Sequence, residues 1–171
     1  MPREDEEGSR GASAGVAAPA AALPVTDTLY REVILEHYRA PHGRGEVAAP
    51  DAAAAGRNPL CGDEVSVTLR EEAGRLEEVR HQGCGCAISV ASASMMSEAV
   101  EGLGPAQARE IARRFKGMLL EGAEPTEEMG DLEVLEGVRS YPVRIKCALL
   151  PWNALLDALD VLDGKEGRGH G

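Results

Sequence analysis

Hydrophobic positions recur at helical spacing in three stretches of the chain, and a fourth stretch is a run of small residues. The 3.6-residue spacing predicts amphipathic helices in the first three, while the small residues favour a lean helix that packs closely against its neighbours. In the last stretch Pro151 must either lie in the first turn or kink the helix. The predicted helices are Asp27–Tyr38, Ala87–Val100, Pro105–Gly122 and about Cys147–Leu162.

Apolar residues alternate with polar ones in two short segments, Glu64–Arg70 and Leu76–His81, separated by a turn that contains Gly74. Strict alternation over a few residues is typical of a half-buried strand, so the two segments predict a β-hairpin. Residues 40–62 show no period and predict a long loop, with room for one further strand. We therefore expect an α+β fold, in which a small antiparallel β-sheet is packed by helices on one face.

The two ends of the chain differ in composition from the segment between them. Residues 1–25 combine an acidic opening with Gly, Ser, Ala and Pro, and they offer too few large apolar side chains to offset the entropy of ordering. The sequence therefore predicts a disordered tail over 1–25, one domain over 26–163 and a flexible, Gly-rich tail over 164–171. A length of 171 residues fits a single domain.

The chain carries 18 Lys and Arg against 29 Asp and Glu, which gives a net charge of −11. A surface this negative repels phosphate backbones and anionic lipids, so we expect neither nucleic acid nor a membrane as a partner. The acidic opening also lacks the positive charge of a signal peptide, and we expect a cytoplasmic protein. One acidic stretch, Glu121–Glu136, contains no Lys or Arg and predicts a solvated segment.

Four cysteines stand at positions 61, 84, 86 and 147. In a reducing compartment, cysteines are more often metal ligands, nucleophiles or small buried hydrophobes than disulfide partners. Gly62 can adopt backbone angles that let Cys61 and Asp63 converge. Three thiols and a carboxylate at element boundaries can complete a tetrahedral zinc site, although composition alone favours buried hydrophobes.

Several ordered motifs of the chain resemble one known family. The resemblance covers about residues 26–162 and is to the iron–sulfur assembly proteins of the IscU/SufU (NifU N-terminal-like) family. Several motifs that match in the same order are not expected by chance. The motifs are Tyr30–Tyr38, Asn58–Asp63, Gly85–Ser89, Ala91–Met96 and Arg144–Cys147.

Two features place the resemblance within the SufU branch. The scaffold branch has a histidine directly before its last cysteine, whereas this chain has Lys146, and Gly117–Tyr141 resembles the segment inserted in SufU proteins. The resemblance implies an IscU/SufU-like fold and zinc bound by Cys61, Asp63, Cys86 and Cys147. It further implies that Cys61 accepts persulfide sulfur from a SufS-type cysteine desulfurase, for a downstream SUF scaffold or apo-protein.

Two other functions stay open at this point. One is a scaffold on which a transient [2Fe–2S] cluster is assembled and from which it is transferred, and the other is a structural zinc protein without sulfur chemistry. The register of the third ligand also has an alternative. The triplet Gly83-Cys84-Gly85 matches the scaffold branch and selects Cys84, whereas counting back from Ser94–Met96 selects Cys86, which we favour.

Overall fold

The structure, a computed structural model, describes the backbone of residues 25–170 and the side chains of residues 28–164. Three strands, four α-helices and one 3-10 segment follow one another in this part of the chain. The predicted tail over 1–25 lies almost wholly outside the described residues. In chain order the elements are α1 Val25–Arg39, β1 Ala52–Asn58, β2 Asp63–Glu72, β3 Arg75–Cys84, α2 Ala87–Val100, α3 Pro105–Glu121, the 3-10 segment Glu127–Ser140 and α4 Pro142–His170.

The strands form one antiparallel sheet in the order β1-β2-β3. The predicted hairpin is confirmed as β2 and β3, with a register shift between Arg70 and Glu71. The further strand for which the predicted loop over 40–62 left room is β1, since Ala52–Asn58 pairs along its whole length with β2. Alanine has low strand propensity, so this strand depends on its pairing and on α4, which packs against it.

The helices pack around one apolar core, and this confirms the predicted α+β fold. Phe115 and Trp152 stack at its centre with ring centroids 4.9 Å apart, and both are fully buried. The lean helix α2 is attached to α4 through Ser92, whose hydroxyl accepts from Trp152 Nε1 and donates to the Ala148 carbonyl at 2.6 Å. This pairing lets a polar residue lie in the core without an unsatisfied group.

The sequence predicted a solvated segment over Glu121–Glu136, but part of this stretch packs against the core. Its second half belongs to the 3-10 segment, which buries an apolar residue about every three positions: Met129, Leu132, Leu135 and Val138. A spacing of three matches the turn of a 3-10 helix, so the acidic residues point outward while these four join the core. His37 adds a contact of 3.0 Å between its Nε2 and Asp131, and its Nδ1 lies 2.7 Å from Ser94 Oγ.

The last helix is longer than predicted at both ends. It begins at Pro142, includes Pro151 and extends to His170, so the boundary predicted at residue 164 falls within it. Because Pro151 has no N–H, it cannot donate to the carbonyl of Cys147 four residues earlier. None of the helices described is both long enough and apolar enough to cross a bilayer.

His81 on β3 is predicted to make folding stability depend on pH. Burial lowers the pKa of His81 below the usual 6.5, and nearby Arg44 lowers it further. The hydrogen bond that Nε2 donates to the His42 carbonyl at 2.9 Å raises the pKa, but by less than burial lowers it. Below about pH 6.5 the unfolded chain therefore binds a proton that the folded chain resists. This stability is present above the unfolded pKa and is lost as the pH falls.

We expect the free energy of unfolding to decrease more between about pH 7.5 and about pH 5 in the unmodified protein than in His81→Gln. Urea unfolding of both proteins at several pH values measures the difference, and contributions from all other groups largely cancel in the comparison. Equal pH profiles for the two proteins would show that His81 does not carry this dependence.

Candidate metal centre

A tight turn between β1 and β2 presents the first two candidate ligands. The Gly62 N–H donates to the Asn58 carbonyl at 2.7 Å, and Gly62 adopts a left-handed φ of +78°, a conformation that favours glycine. Cys61 therefore lies exposed at the tip of the turn, while Asp63 begins β2 and is buried. The convergence that the sequence predicted for these two residues is thus produced by the backbone of Gly62.

The third candidate comes from the beginning of α4. Cys147 is buried, and its Sγ lies 3.7 Å from the Sγ of Cys61. Together with a carboxylate oxygen of Asp63, these two sulfurs form a group whose atoms all lie within 4.8 Å of one another. Residues 86 positions apart along the chain are thus brought together at one end of the sheet.

Cys86 lies beside this group rather than inside it. It is the N-cap residue of α2, it is half-buried, and its thiol lies near enough to Cys147 to help raise the pKa of that residue. Its sulfur is not within 4.8 Å of all three atoms of the group. Cys84, the other candidate for this position, is exposed at the end of β3, where it pairs with Glu64. The geometry therefore favours Cys86 over Cys84 as the fourth candidate.

The arrangement fits a zinc ion on three counts. Two thiolates at about 2.3 Å from zinc in a tetrahedral site are about 3.8 Å apart, close to the 3.7 Å between Cys61 and Cys147. The Oδ2 atom of Asp63 is buried without a hydrogen-bond partner, as suits an oxygen that binds a cation. A Cβ atom at Gly85 would lie 3.0 Å from the carboxyl carbon of Asp63, so glycine leaves room for this side chain.

The pKa of the Cys147 thiol is raised far above that of a free thiol. Burial is the main cause, and the neighbouring Cys86, Cys61 and Asp63 add to it. Arg144 and Lys146, which precede Cys147 in the sequence, are exposed to solvent and do not contribute to this shift of the pKa. A cation among these groups would reverse the effect, because metal binding requires the deprotonated thiol.

Exposed apolar side chains lie next to two of the candidate ligands, Cys61 and Cys147. Leu60, directly before Cys61, is 71% exposed, and Val143, whose carbonyl lies 3.9 Å from the Cys147 sulfur, is 64% exposed. Tyr141, two residues before Val143, is exposed as well. Apolar side chains grouped at a reactive site are typical of a surface that contacts another protein.

A second group of possible ligands, which the sequence did not reveal, comprises His37, Glu98 and Asp131. Both ring nitrogens of His37 already have partners, Ser94 and Asp131, and the two carboxylates are exposed. Through its contacts with Ser94 and Asp131, His37 connects α1 with α2 and with the 3-10 segment.

The two adjacent candidates, Cys84 and Cys86, provide a matched pair of variants. We expect Cys86→Ser to weaken zinc binding at least about tenfold, because its sulfur lies beside Cys147. Cys84→Ser should retain stoichiometric zinc. Metal analysis of the purified proteins, followed by chelator competition, measures both, and the reverse pattern would show that the register is wrong.

Comparison with known proteins places these residues in a family. The sequence profile described as the NifU-like N terminal domain matches residues 29–148. The zinc-dependent sulfurtransferase SufU of Bacillus subtilis (strain 168) is 40% identical over 131 residues, which cover 75% of this chain and 88% of that protein.

Two further similar proteins are named as scaffold proteins. The iron-sulfur cluster assembly scaffold protein IscU of Streptococcus pyogenes serotype M1 is 38% identical over 139 residues, 81% of this chain and 87% of that protein. The crystal structure of a putative iron-sulfur cluster assembly scaffold protein for the SUF system, from Fervidobacterium islandicum AW-1, superimposes with a TM-score of 0.70. It is 33% identical and covers 75% of this chain and 94% of its own.

Proposed function

The chain belongs to the NifU-like N terminal domain family of iron–sulfur cluster assembly proteins, and from this membership we propose that it is a zinc-dependent sulfurtransferase. In this proposal Cys61, Asp63, Cys86 and Cys147 bind zinc. Cys61 accepts sulfur from the persulfide of a SufS-type cysteine desulfurase and passes it to a downstream SUF scaffold or apo-protein. The observation that carries the proposal is the exposed Cys61 thiol, 3.7 Å from the buried Cys147 thiol and beside a buried carboxylate.

The exposure of the candidate ligands suits a site that both holds a metal and reacts. Cys147 and Asp63 are buried and belong to regular elements, so they form a fixed base. Cys61 lies on a turn and is exposed, so it can leave that base without unfolding the sheet. Zinc, when bound, keeps the coordinating thiols deprotonated and protected from oxidation.

The transfer step itself requires only a free thiolate at Cys61. This thiolate attacks the terminal sulfur of the desulfurase persulfide, a new S–S bond forms as the old one breaks, and the desulfurase cysteine leaves as a thiolate. No net oxidation or reduction occurs, so no further reactant is needed. The exposed position of Cys61 allows the in-line approach that such an exchange requires.

The experiment that tests this function is a desulfurase assay. The purified protein is added to a SufS-type cysteine desulfurase, and cysteine-dependent alanine production is measured with and without zinc. We expect stimulation that depends on zinc. A zinc-loaded protein that leaves the desulfurase unaffected would be a structural zinc protein instead.

The names of two relatives favour a second candidate function, a scaffold for a [2Fe–2S] cluster. Anaerobic reconstitution with iron and sulfide distinguishes it from the first. A scaffold becomes brown and passes its cluster to an apo-ferredoxin, whereas a sulfurtransferase stays colourless with its zinc.

The apolar surface around Cys61 leads to a prediction about docking. Leu60→Asp should raise the concentration of this protein that is needed to stimulate the desulfurase by about tenfold or more. The reason is that the variant places a charge in the apolar contact surface. Zinc content should stay unchanged, since Leu60 offers no ligand atom. Leu120→Asp is the matched control, because Leu120 is another exposed leucine but lies at the end of α3. Equal effects of both variants on the desulfurase would contradict docking at Leu60.

A further inference from the structure

Asn58 and Asp63 face each other at the end of the β1-β2 pair, where the metal centre begins. They are direct partners in the strand register, and they are 6% and 5% exposed. Each has one side-chain atom without a hydrogen-bond partner, the donor Nδ2 of Asn58 and the acceptor Oδ2 of Asp63. In the described part of the chain only one other buried side-chain atom, Ser97 Oγ, is in this condition.

The orientation of the Asn58 amide follows from the turn that it supports. Its Oδ1 accepts from the Leu60 N–H at 3.1 Å, which assigns the oxygen and leaves Nδ2 as the free donor. The backbone carbonyl of the same residue accepts from Gly62. Asn58 therefore shapes the turn that presents Cys61 and also holds a buried N–H₂ group beside the candidate ligands.

We propose that Asn58 is a positioning residue for the metal centre, and that its Nδ2 donates a hydrogen bond to the Asp63 carboxylate when the other carboxylate oxygen binds the metal. Residues directly opposed in an antiparallel pair have Cβ atoms about 4.5–5.5 Å apart, so an amide reaches a carboxylate by side-chain rotation. The hydrogen bond satisfies Nδ2 of Asn58, and the metal satisfies the unpaired Oδ2 of Asp63. This inference rests on the proposed zinc site.

The consequence for the proposed function is a fixed carboxylate. Ligating carboxylates are commonly oriented by a hydrogen bond to the oxygen that does not bind the metal. With Asn58 on one side and Gly85 against its carboxyl carbon, Asp63 keeps one orientation. Asp63 then stays on the metal while Cys61 leaves to react.

Two variants separate this role from that of the turn. Asn58→Asp keeps the shape and the oxygen that accepts from Leu60, but it replaces the donor with an acceptor. Asn58→Ala removes both the oxygen that accepts from Leu60 and the Nδ2 donor. If Asn58 only supports the turn, Asn58→Asp should bind zinc as tightly as the unmodified protein does. If Nδ2 orients Asp63, both variants should bind zinc about 10-fold to 100-fold more weakly.

The measurement is competition for zinc between the full-length protein and a chromophoric chelator, with the visible absorption of bound cobalt(II) as a second readout. We expect weaker zinc binding and an altered cobalt spectrum in both variants. Asn153→Asp, the same change at an exposed asparagine of α4, should alter neither. Unchanged or tighter zinc binding by Asn58→Asp would overturn the inference and leave the proposed function standing. Failure of the unmodified protein to bind zinc would instead refute the proposed zinc site.

Discussion

Replacement of Cys61 by alanine is expected to abolish sulfur acceptance and to reduce desulfurase stimulation to the level of the desulfurase alone. Among the four candidate ligands, only Cys61 is exposed, and its sulfur lies 3.7 Å from that of Cys147. Cys147 is buried, so it cannot substitute for Cys61 as the acceptor. The assay measures cysteine-dependent alanine production together with transfer of radiolabelled sulfur from cysteine.

The variant should remain folded, because Cys61 is exposed on a turn and makes no part of the apolar core. Circular dichroism and thermal unfolding check this point. Cys84→Ala is the matched control, since Cys84 is also exposed but lies outside the group of candidate ligands. Normal sulfur transfer to Cys61→Ala would exclude Cys61 as the acceptor.

Replacement of Asp63 by alanine is expected to separate zinc binding from sulfur transfer. Three thiols stay in place, so some zinc should remain bound, with water in the fourth position. In the proposed site the buried Asp63 carboxylate would hold the metal while the Cys61 sulfur is displaced. Without Asp63, desulfurase stimulation should fall roughly tenfold or more.

Zinc content and alanine production must be measured on the same preparation of this variant, with the desulfurase held constant. Asp157→Ala, at an exposed aspartate of α4, controls for the loss of one negative charge. Full stimulation by Asp63→Ala would mean that the carboxylate only shapes the turn. Complete loss of zinc together with stimulation would mean that three thiols cannot hold the metal alone.

Elements with a strong hydrophobic period were predictable from the sequence. The α1 helix, the β2-β3 hairpin and α3 follow the expected bounds within a few residues, because each has an apolar face that matches its geometry. A further strand within residues 40–62 was allowed for, but its position was not predicted, since a run of alanines carries no alternation of apolar and polar side chains. Its structure comes from pairing with β2, which a local pattern does not contain.

The 3-10 segment was missed for a different reason. Its apolar residues recur every three positions, but the seven acidic residues from Glu121 to Glu136 dominate the composition and suggested solvent. The burial of Met129 and Leu132 shows that spacing carries more information than net charge in such a stretch. A test for a three-residue period would have found it.

The candidate ligands were recognisable from their spacing and flanking motifs, whereas their environment was not. Cys61, Asp63 and Cys147 lie together and Cys86 lies beside Cys147, and zinc binding by these four residues stays a prediction. The role proposed for Asn58 depends on strand register and on which polar atoms lack partners. Neither can be obtained without the three-dimensional arrangement.

Tandem mass spectrometry of the unmodified protein tests the central claim most directly. The zinc-loaded protein is incubated with a SufS-type desulfurase and cysteine, alkylated, digested, and searched for peptides that carry one additional sulfur. We expect additional sulfur on Cys61, and none when the desulfurase is omitted. Sulfur on Cys84 or Cys86 with none on Cys61, or no additional sulfur on any cysteine, would contradict the claim.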